Sequence, residues 1–136
     1  MTFQYRVDGN DFLHAGEASA ALKRTLKQLG LASDLIRRIA IATYEAEMNM
    51  VLHANGGIIE VSLTDDYLKV ILTDTGKGIE DVELAMQEGY STASQWIREL
   101  GFGAGMGLPN MKRYSDELQI TTEKGKGTKV NLGFNL

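Results

Sequence analysis

The sequence contains no cysteine and only one proline, and its charge balance is acidic rather than basic. Without cysteine, the chain has neither disulfide bonds nor thiolate metal ligands. The 14 Lys and Arg residues are outnumbered by 18 Asp and Glu residues, which gives a net charge of −4. Because nucleic-acid binders use basic surfaces to neutralise phosphates, this balance argues against a nucleic-acid partner.

Long apolar segments are also missing from the sequence. No run approaches the roughly 18 apolar residues that a membrane span needs. The first residues, MTFQYRVDGNDF, lack the basic-then-apolar pattern of a signal peptide. We therefore expect a cytoplasmic protein with no membrane partner. A length of 136 residues with 43% hydrophobic content predicts a single domain over residues 1–136.

Hydrophobic periodicity predicts a strand followed by two helices in the first half of the chain. Phe3, Tyr5 and Val7 alternate with polar residues, which is typical of a half-buried strand. Apolar residues at helical spacing predict one helix over about 15–29, with Gly30 as its C-terminal stop. A second helix is predicted from a cap at Ser33 to about residue 54.

The second half of the chain predicts two hairpins with short helices between them. The hairpin turns fall at residues 65–66 and 125–127, and short helices are predicted over 80–89 and from residue 108. The elements do not alternate strictly as β-α-β. We therefore expect an α/β two-layer sandwich, with helices on one face of a mixed, mostly antiparallel sheet.

The segment GFGAGMG, at residues 101–107, has a glycine at every second position. This composition costs conformational entropy on folding, and close approach of backbone N–H groups to a phosphate is the usual compensation. A dinucleotide fold would need its glycines between the first strand and the first helix, and no Walker motif is present. The turn TDTGKGI, at residues 73–79, is similar to that of nucleotide-binding methyltransferases, but too little sequence follows for their sheet.

Glu45, Asn49 and His53 lie four residues apart on the second predicted helix and form one polar stripe. Taken alone, the stripe is equally compatible with a solvated helix face. Asn is mildly unfavourable in the middle of a helix, which weakens that interpretation. Zinc binding is not expected, because the trio contains one histidine.

The order of these motifs is more specific than any one of them. Glu-x-x-x-Asn on a helix precedes Asp-x-Gly-x-Gly after a strand, a glycine-rich run before a helix, and Gly-x-Gly-Thr before the last strand. In this order the sequence resembles the ATP-binding superfamily of gyrase, heat-shock chaperones, histidine kinases and mismatch-repair proteins (the histidine-kinase-like or Bergerat fold). It is most similar to bacterial anti-sigma-factor serine kinases and switch-protein kinases, through YEAEMNMVLHANGG, TDTGKGIEDVELAMQEGYSTA, GMGLPNMKRYSDEL and GKGTKV.

The resemblance implies a site for ATP and Mg²⁺. Asp74 would accept a hydrogen bond from the purine amino group, although an ordinary Asx-type turn also explains an aspartate there. Asn49 would offer its side-chain oxygen to Mg²⁺. His53 would reach a phosphate or the ribose, and a helix-end histidine near carbonyls is an equal alternative. The other cofactor-binding residues implied by the motifs are Gly76, Gly78, Ile79, Gly103, Gly105, Met106, Gly107, Leu108 and Thr128.

The glycine-rich run has a double role in this interpretation. Gly103, Gly105, Gly107 and the start of the following helix would cradle the β- and γ-phosphates. The segment 89–105 would move as a lid over the nucleotide. Thr128 would support the pocket structurally.

Glu45 occupies the position of the family's proposed general base for the attacking hydroxyl. Two positions depart from the family's pattern. Glu47 stands where the family usually has a neutral residue, although a helix puts it on a different face from Glu45. The family often has an arginine beside the glycine loop for the γ-phosphate, whereas the candidate cations here are Arg98 and Lys112.

The resemblance predicts an ATP-dependent serine/threonine kinase that phosphorylates a STAS-domain anti-sigma-factor antagonist in a bacterial partner-switching pathway. The alternative is a binding module of the anti-sigma type, whose nucleotide state controls its affinity for a partner without useful transfer. A free ATP hydrolase is a third interpretation. Because related kinases often dimerise, a homodimer is compatible with the sequence, with the first strand as an edge.

Overall fold

The computed structural model describes residues 1–9, 11–53, 56–74, 107–123 and 125–136, without the side chains of His53 and Glu123. These ranges form β1 (Thr2–Asp8), α1 (Glu17–Gln28), α2 (Ser33–His53), β2 (Gly56–Leu63), β3 (Tyr67–Asp74), α3 (Gly107–Tyr114), β4 (Glu117–Glu123) and β5 (Gly127–Asn135).

The described strands form one five-stranded sheet in the order β1-β2-β3-β5-β4. All four pairings are antiparallel, so the parallel pairs that a mixed sheet would allow are not found among these strands. β1 lies at one edge, and both predicted hairpins form. The predicted sandwich with helices on one face of a mostly antiparallel sheet is confirmed.

Alternate residues of the strands point toward the helices and form the core with them. In β3, Leu68, Val70 and Leu72 are buried, while Lys69 and Thr73 between and beyond them are exposed. Each large aliphatic side chain buried in this way contributes roughly 1.5–3 kcal/mol. The helices supply the other wall of the core, through residues that include Leu22, Leu26, Ile39, Val51 and Met111.

The helix ends agree with the predictions to within a few residues. Gly30 follows the end of α1 with a φ of 81°, in the left-handed region that glycine tolerates best. At the start of α2, the Ile36 N–H donates to the Ala32 carbonyl. The first helical hydrogen bond therefore begins at Ala32, one residue before the cap predicted at Ser33.

Two packing relationships position the predicted site residues, one among the helices and one between two strands. α2 is the central helix of the layer, because it packs against both α1 and α3. The end of β3 lies beside the start of β5, because these strands are antiparallel neighbours. No helix in the described ranges is long and apolar enough to cross a membrane.

Candidate functional site

Glu45 and Asn49 lie on the side of α2 that faces the first turn of α3. Asn110 Nδ2 donates a hydrogen bond of 3.2 Å to Glu45 Oε1. All three side chains are half-buried. The bond orients the carboxylate, because one oxygen is held by a neighbouring helix while the other lies toward Gly107.

Gly107 brings the backbone of α3 close to both of these side chains. A Cβ atom at Gly107 would lie 3.4 Å from Asn49 Oδ1, 3.5 Å from Asn49 Nδ2 and 3.6 Å from Glu45 Oε2. A side chain here would fill the space between α3 and the two polar groups. With glycine, no side chain separates the start of α3, where a helix N-terminus favours anions, from the Asn49 amide, whose oxygen suits Mg²⁺.

Asp74, at the end of β3, contacts the last glycine motif. Its Oδ1 atom accepts a hydrogen bond of 3.1 Å from the Thr128 backbone N–H. The Thr128 hydroxyl lies 3.1 Å from that of Thr122 on β4. Thr128 is buried and Asp74 is half-buried. The carboxylate is thus positioned by β5, and a carboxylate has enough lone pairs to accept further donors.

Two carboxylates of α2, those of Glu45 and Glu47, act on the Tyr44 phenol. Burial raises the pKa of the neighbouring Tyr44 phenol, and the negative charges of Glu45 and Glu47 raise it further. The Tyr44 hydroxyl therefore stays protonated at neutral pH. A cation is needed to offset these charges when phosphates enter, which is the usual task of Mg²⁺ in phosphoryl transfer.

The other predicted residues either lie away from the contacts between α2 and α3 described above or fall outside the described ranges. The Leu108 side chain is buried in the core. Lys112 is exposed in the last turn of α3, about 7.5 Å along the helix axis from Gly107. His53 ends α2, and its side chain is not described. The predicted lid at 89–105 lies outside the described ranges. So do seven of the predicted site residues: Gly76, Gly78, Ile79, Arg98, Gly103, Gly105 and Met106.

Within the described residues, no group of three or more His, Asp and Glu side chains could hold a metal. This donor set suits Mg²⁺ bound to Asn49 together with substrate phosphates, because Mg²⁺ takes few protein ligands and keeps several waters. The close approach of the Gly107 backbone to Asn49 is compatible with such an arrangement. Asn49 thus remains the one metal ligand that we predict.

Asn110 and Glu47 have contacts that the sequence analysis missed. Asn110 is the sixth residue of GMGLPNMKR, and its one signal is that it is a polar residue in the first turns of a helix predicted to meet phosphate. Glu47 departs from the family's pattern, which is its one signal in the sequence. Its partners, described below, are far away in the sequence and leave no local signal.

The described residues thus form two groups: Glu45, oriented by Asn110 and lying with Asn49 beside Gly107, and the strand-end Asp74, bonded to Thr128. Residues 10–134 match the family described as the histidine kinase-like ATPase domain. Because this match spans most of the chain, the protein belongs to that family.

Its relatives include protein kinases and anti-sigma factors. The chain is 33% identical over 112 residues to the serine/threonine-protein kinase RsbT of Bacillus subtilis (strain 168), covering 79% of this chain and 78% of that protein. It is 37% identical over 110 residues to the anti-sigma F factor of Caldanaerobacter subterraneus subsp. tengcongensis, covering 77% and 73%. These relatives confirm the predicted resemblance and the assignment as a serine/threonine kinase of the anti-sigma type.

Two solved structures share the fold. The RsbU and RsbW domains of a Mycobacterium tuberculosis protein match with a TM-score of 0.68 at 19% identity, over 98% of this chain and 32% of that one. This chain thus spans about a third of that protein's length. The mycobacterial sensor histidine kinase MprB matches with a TM-score of 0.56 at 15% identity, over 99% and 97%. At these identities the likeness shows the fold alone.

Proposed function

We propose that the protein transfers the γ-phosphoryl group of ATP to a serine or threonine of a STAS-domain antagonist protein, in the cytoplasm, as part of a partner switch that controls a sigma factor. The observation that carries the proposal is Glu45, held by Asn110 and directed toward the space between Asn49 and Gly107. The anti-sigma names of the relatives support the class of partner.

Asp74 and Thr128 would form the adenine end of the site. A carboxylate that accepts a hydrogen bond from the purine amino group discriminates adenine from guanine, which has a carbonyl at that position. The Thr128 N–H keeps the carboxylate in place while the pocket is empty. This preorganisation reduces what must be ordered when the nucleotide binds.

Asn49 would hold Mg²⁺ through its side-chain oxygen, and the N-terminus of α3 would receive the phosphates. When bound, the metal would neutralise phosphate charge that the Glu45 carboxylate would otherwise repel. The absence of a side chain at Gly107 lets backbone N–H groups approach the phosphate oxygens. Positioning of this kind provides most of the catalysis in phosphoryl transfer.

Glu45 would act as the general base. The substrate hydroxyl gives its proton to the Glu45 carboxylate while its oxygen forms a bond to the γ-phosphorus. The bond from that phosphorus to the β,γ-bridging oxygen breaks, and its electron pair leaves with ADP. The Asn110 amide holds one carboxylate oxygen, so that the other can face the hydroxyl.

A transfer assay tests this proposal. The purified chain would be incubated with γ-labelled ATP and, one at a time, with purified STAS-domain proteins from the same genome, with and without Mg²⁺. We expect a phosphoserine or phosphothreonine product on one of them that requires the metal. Binding of ATP without a labelled product from any of them would contradict the kinase proposal.

One observation favours the alternative of a nucleotide-controlled binding module. The candidate cation Lys112 lies in the last turn of α3, whereas the proposed phosphate site is at its first residue. A module of this kind would bind its partner with an affinity that differs between ATP and ADP and would yield no phosphorylated product. The same assay, combined with a partner-binding titration in each nucleotide, distinguishes the two functions.

A further inference from the structure

Glu47 is a deeply buried carboxylate that the proposed kinase mechanism does not use. Its residue is 2% exposed, and it is the one buried acidic residue within the described ranges. Its two oxygens accept hydrogen bonds from Gly16 N at 2.9 Å, Ala18 N at 3.4 Å, and Ser19 N and Oγ at 2.9 and 2.6 Å. A carboxylate is removed from water only where such partners replace its hydration.

Three of these donors are backbone N–H groups at the N-terminus of α1, which has no side-chain cap of its own, and the fourth is the Ser19 hydroxyl. The N-cap position is Gly16, with a φ of 92° and no side chain that could accept a hydrogen bond. A helix N-terminus leaves its first N–H groups unsatisfied and favours a negative charge. Glu47 therefore supplies from α2 the acceptor that a local Ser or Asp would normally provide.

Glu47 also lies on the back of the catalytic face of α2. It is two positions after Glu45 and two positions before Asn49 in the sequence. Successive residues on an α-helix are turned by about 100°, so Glu47 points about 160° away from both. One side of α2 is thus tied to α1 by Glu47, while the other presents Glu45 and Asn49 to α3.

We propose that Glu47 is a positioning residue for the phosphoryl-transfer site, an inference that rests on the proposed function. By anchoring the α1 N-terminus, the Glu47 carboxylate resists rotation and sliding of α2. The distances from Asn49 and Glu45 to Gly107 are set by the same helix, so they depend on this anchor. The Asp74–Thr128 pair lies on the sheet and does not depend on it.

Glu47→Gln tests this role with little change in size. The glutamine keeps one acceptor oxygen but places an NH₂ group among N–H donors. Glu117→Gln is the matched control, because Glu117 also accepts a hydrogen bond, from the Tyr67 hydroxyl at 2.8 Å, and that partner lies on β3 rather than on α2. For each variant, we would measure the thermal midpoint, the dissociation constants for ATP with and without Mg²⁺, and the kcat and KM of transfer.

For Glu47→Gln, we expect the ATP affinity without Mg²⁺ to stay within about twofold of the parent protein, because adenine recognition is left in place. The gain in affinity on adding Mg²⁺ should fall about tenfold, as when residues that orient a metal ligand are changed. The kcat should fall by about tenfold or more with little change in the KM for the protein substrate, because a small misplacement of the base is costly. The control Glu117→Gln should change neither the Mg²⁺ gain nor the kcat.

The result that would overturn the inference is a lower thermal midpoint with unchanged Mg²⁺ gain and kcat, since Glu47 would then be structural only. If Glu47→Gln does not fold, Ser19→Ala decides the question by removing one of the four donors. A Mg²⁺ gain reduced at least threefold in Ser19→Ala would support the inference, and an unchanged gain would overturn it. If the parent protein itself neither binds Mg²⁺-ATP nor transfers phosphate, the proposed function fails instead.

Discussion

The Oδ1 atom of Asp74 accepts a hydrogen bond of 3.1 Å from the Thr128 backbone N–H, which joins two glycine motifs 54 residues apart in the sequence. The antiparallel pairing of β3 with β5 places the end of one strand beside the start of the other. The motif that would recognise the base and the motif that would support the pocket are therefore one unit. A change in either should affect nucleotide binding.

Asp74→Asn should lower the affinity for ATP and ADP by about 10- to 100-fold, since one hydrogen bond to a charged acceptor is lost. The amide oxygen can still accept from Thr128, so the fold should remain. Calorimetric titration with each nucleotide, with and without Mg²⁺, measures the effect. Asp116→Asn changes an exposed aspartate in the same way and should leave both affinities intact. Equal losses in the two variants would contradict a role for Asp74 in adenine binding.

Glu45→Gln should reduce phosphate transfer by about 10²- to 10⁴-fold, the range that a general base contributes. Binding of ATP should change little, because the Asp74 end of the site is untouched. Initial rates of transfer at saturating ATP provide the measurement. Glu60→Gln, on the exposed face of β2, is the matched control. Transfer at the parent rate in Glu45→Gln would remove Glu45 from the role of base.

Gly107→Ala should fold normally and bind Mg²⁺-ATP about tenfold more weakly. Its Cβ would make ordinary contacts of 3.4–3.6 Å with Asn49 and Glu45, so no clash is expected. The methyl group would nevertheless keep a phosphate from one backbone donor, and one such charged hydrogen bond corresponds to about this factor. Thermal unfolding and calorimetry on the same sample separate the two effects. Undiminished Mg²⁺-ATP affinity would place the phosphates elsewhere.

The exposed pair Asp11–His14 should make stability depend on pH. A side-chain hydrogen bond with His14 lowers the pKa of Asp11 from 3.8, and the same bond raises the pKa of His14 from 6.5. A raised His pKa stabilises the fold below 6.5 and loses this effect as the pH rises through the folded value. A lowered Asp pKa stabilises above 3.8 and loses the effect as the pH falls. The pair therefore contributes most between these two values.

The effect of this pair should be small, because both side chains face solvent. The direct measurement is an NMR titration of the imidazole protons of the two histidines. In Asp11→Asn, the pKa of His14 should fall toward 6.5. The thermal midpoint of the parent protein should decline above pH 6.5, as the contribution of His14 is lost. In Asp11→Asn this decline should be smaller. An unchanged His14 pKa would show that the pair does not persist in solution.

Gly133→Ala should destabilise the protein by about 1–3 kcal/mol, the usual cost of forcing extra volume into a packed site. A Cβ at Gly133 would lie 2.7 Å from Tyr67 Cζ and 3.2 Å from Glu117 Cβ. The ring of Tyr67 would have to move, and its hydroxyl would lose its hydrogen bond of 2.8 Å to Glu117 Oε2.

A double-mutant cycle in urea identifies the cause of this loss. Removing the ring with Tyr67→Ala should abolish most of the additional penalty of Gly133→Ala, because the clash has gone. Additive losses in free energy of unfolding would show that the ring of Tyr67 is not what requires glycine at this position.

The sequence by itself determined the described elements of the fold and the family, whereas the helix predicted over 80–89 lies outside the described residues. Strand alternation and helical spacing are local properties, so β1, both hairpins and α1 and α2 were predicted to within a few residues. The order of the Glu45–Asn49, Asp74 and Gly107 motifs also indicated the family before any contact was known.

Only the tertiary structure decided which groups touch. The hydrogen bond from Asn110 to Glu45 spans 65 residues, and the one from Ser19 Oγ to Glu47 spans 28. Such contacts depend on how whole helices pack, and packing depends on surfaces contributed by the entire chain. In the sequence, a buried glutamate that caps another helix therefore cannot be distinguished from an exposed one. Its role is visible only once α1 and α2 lie side by side.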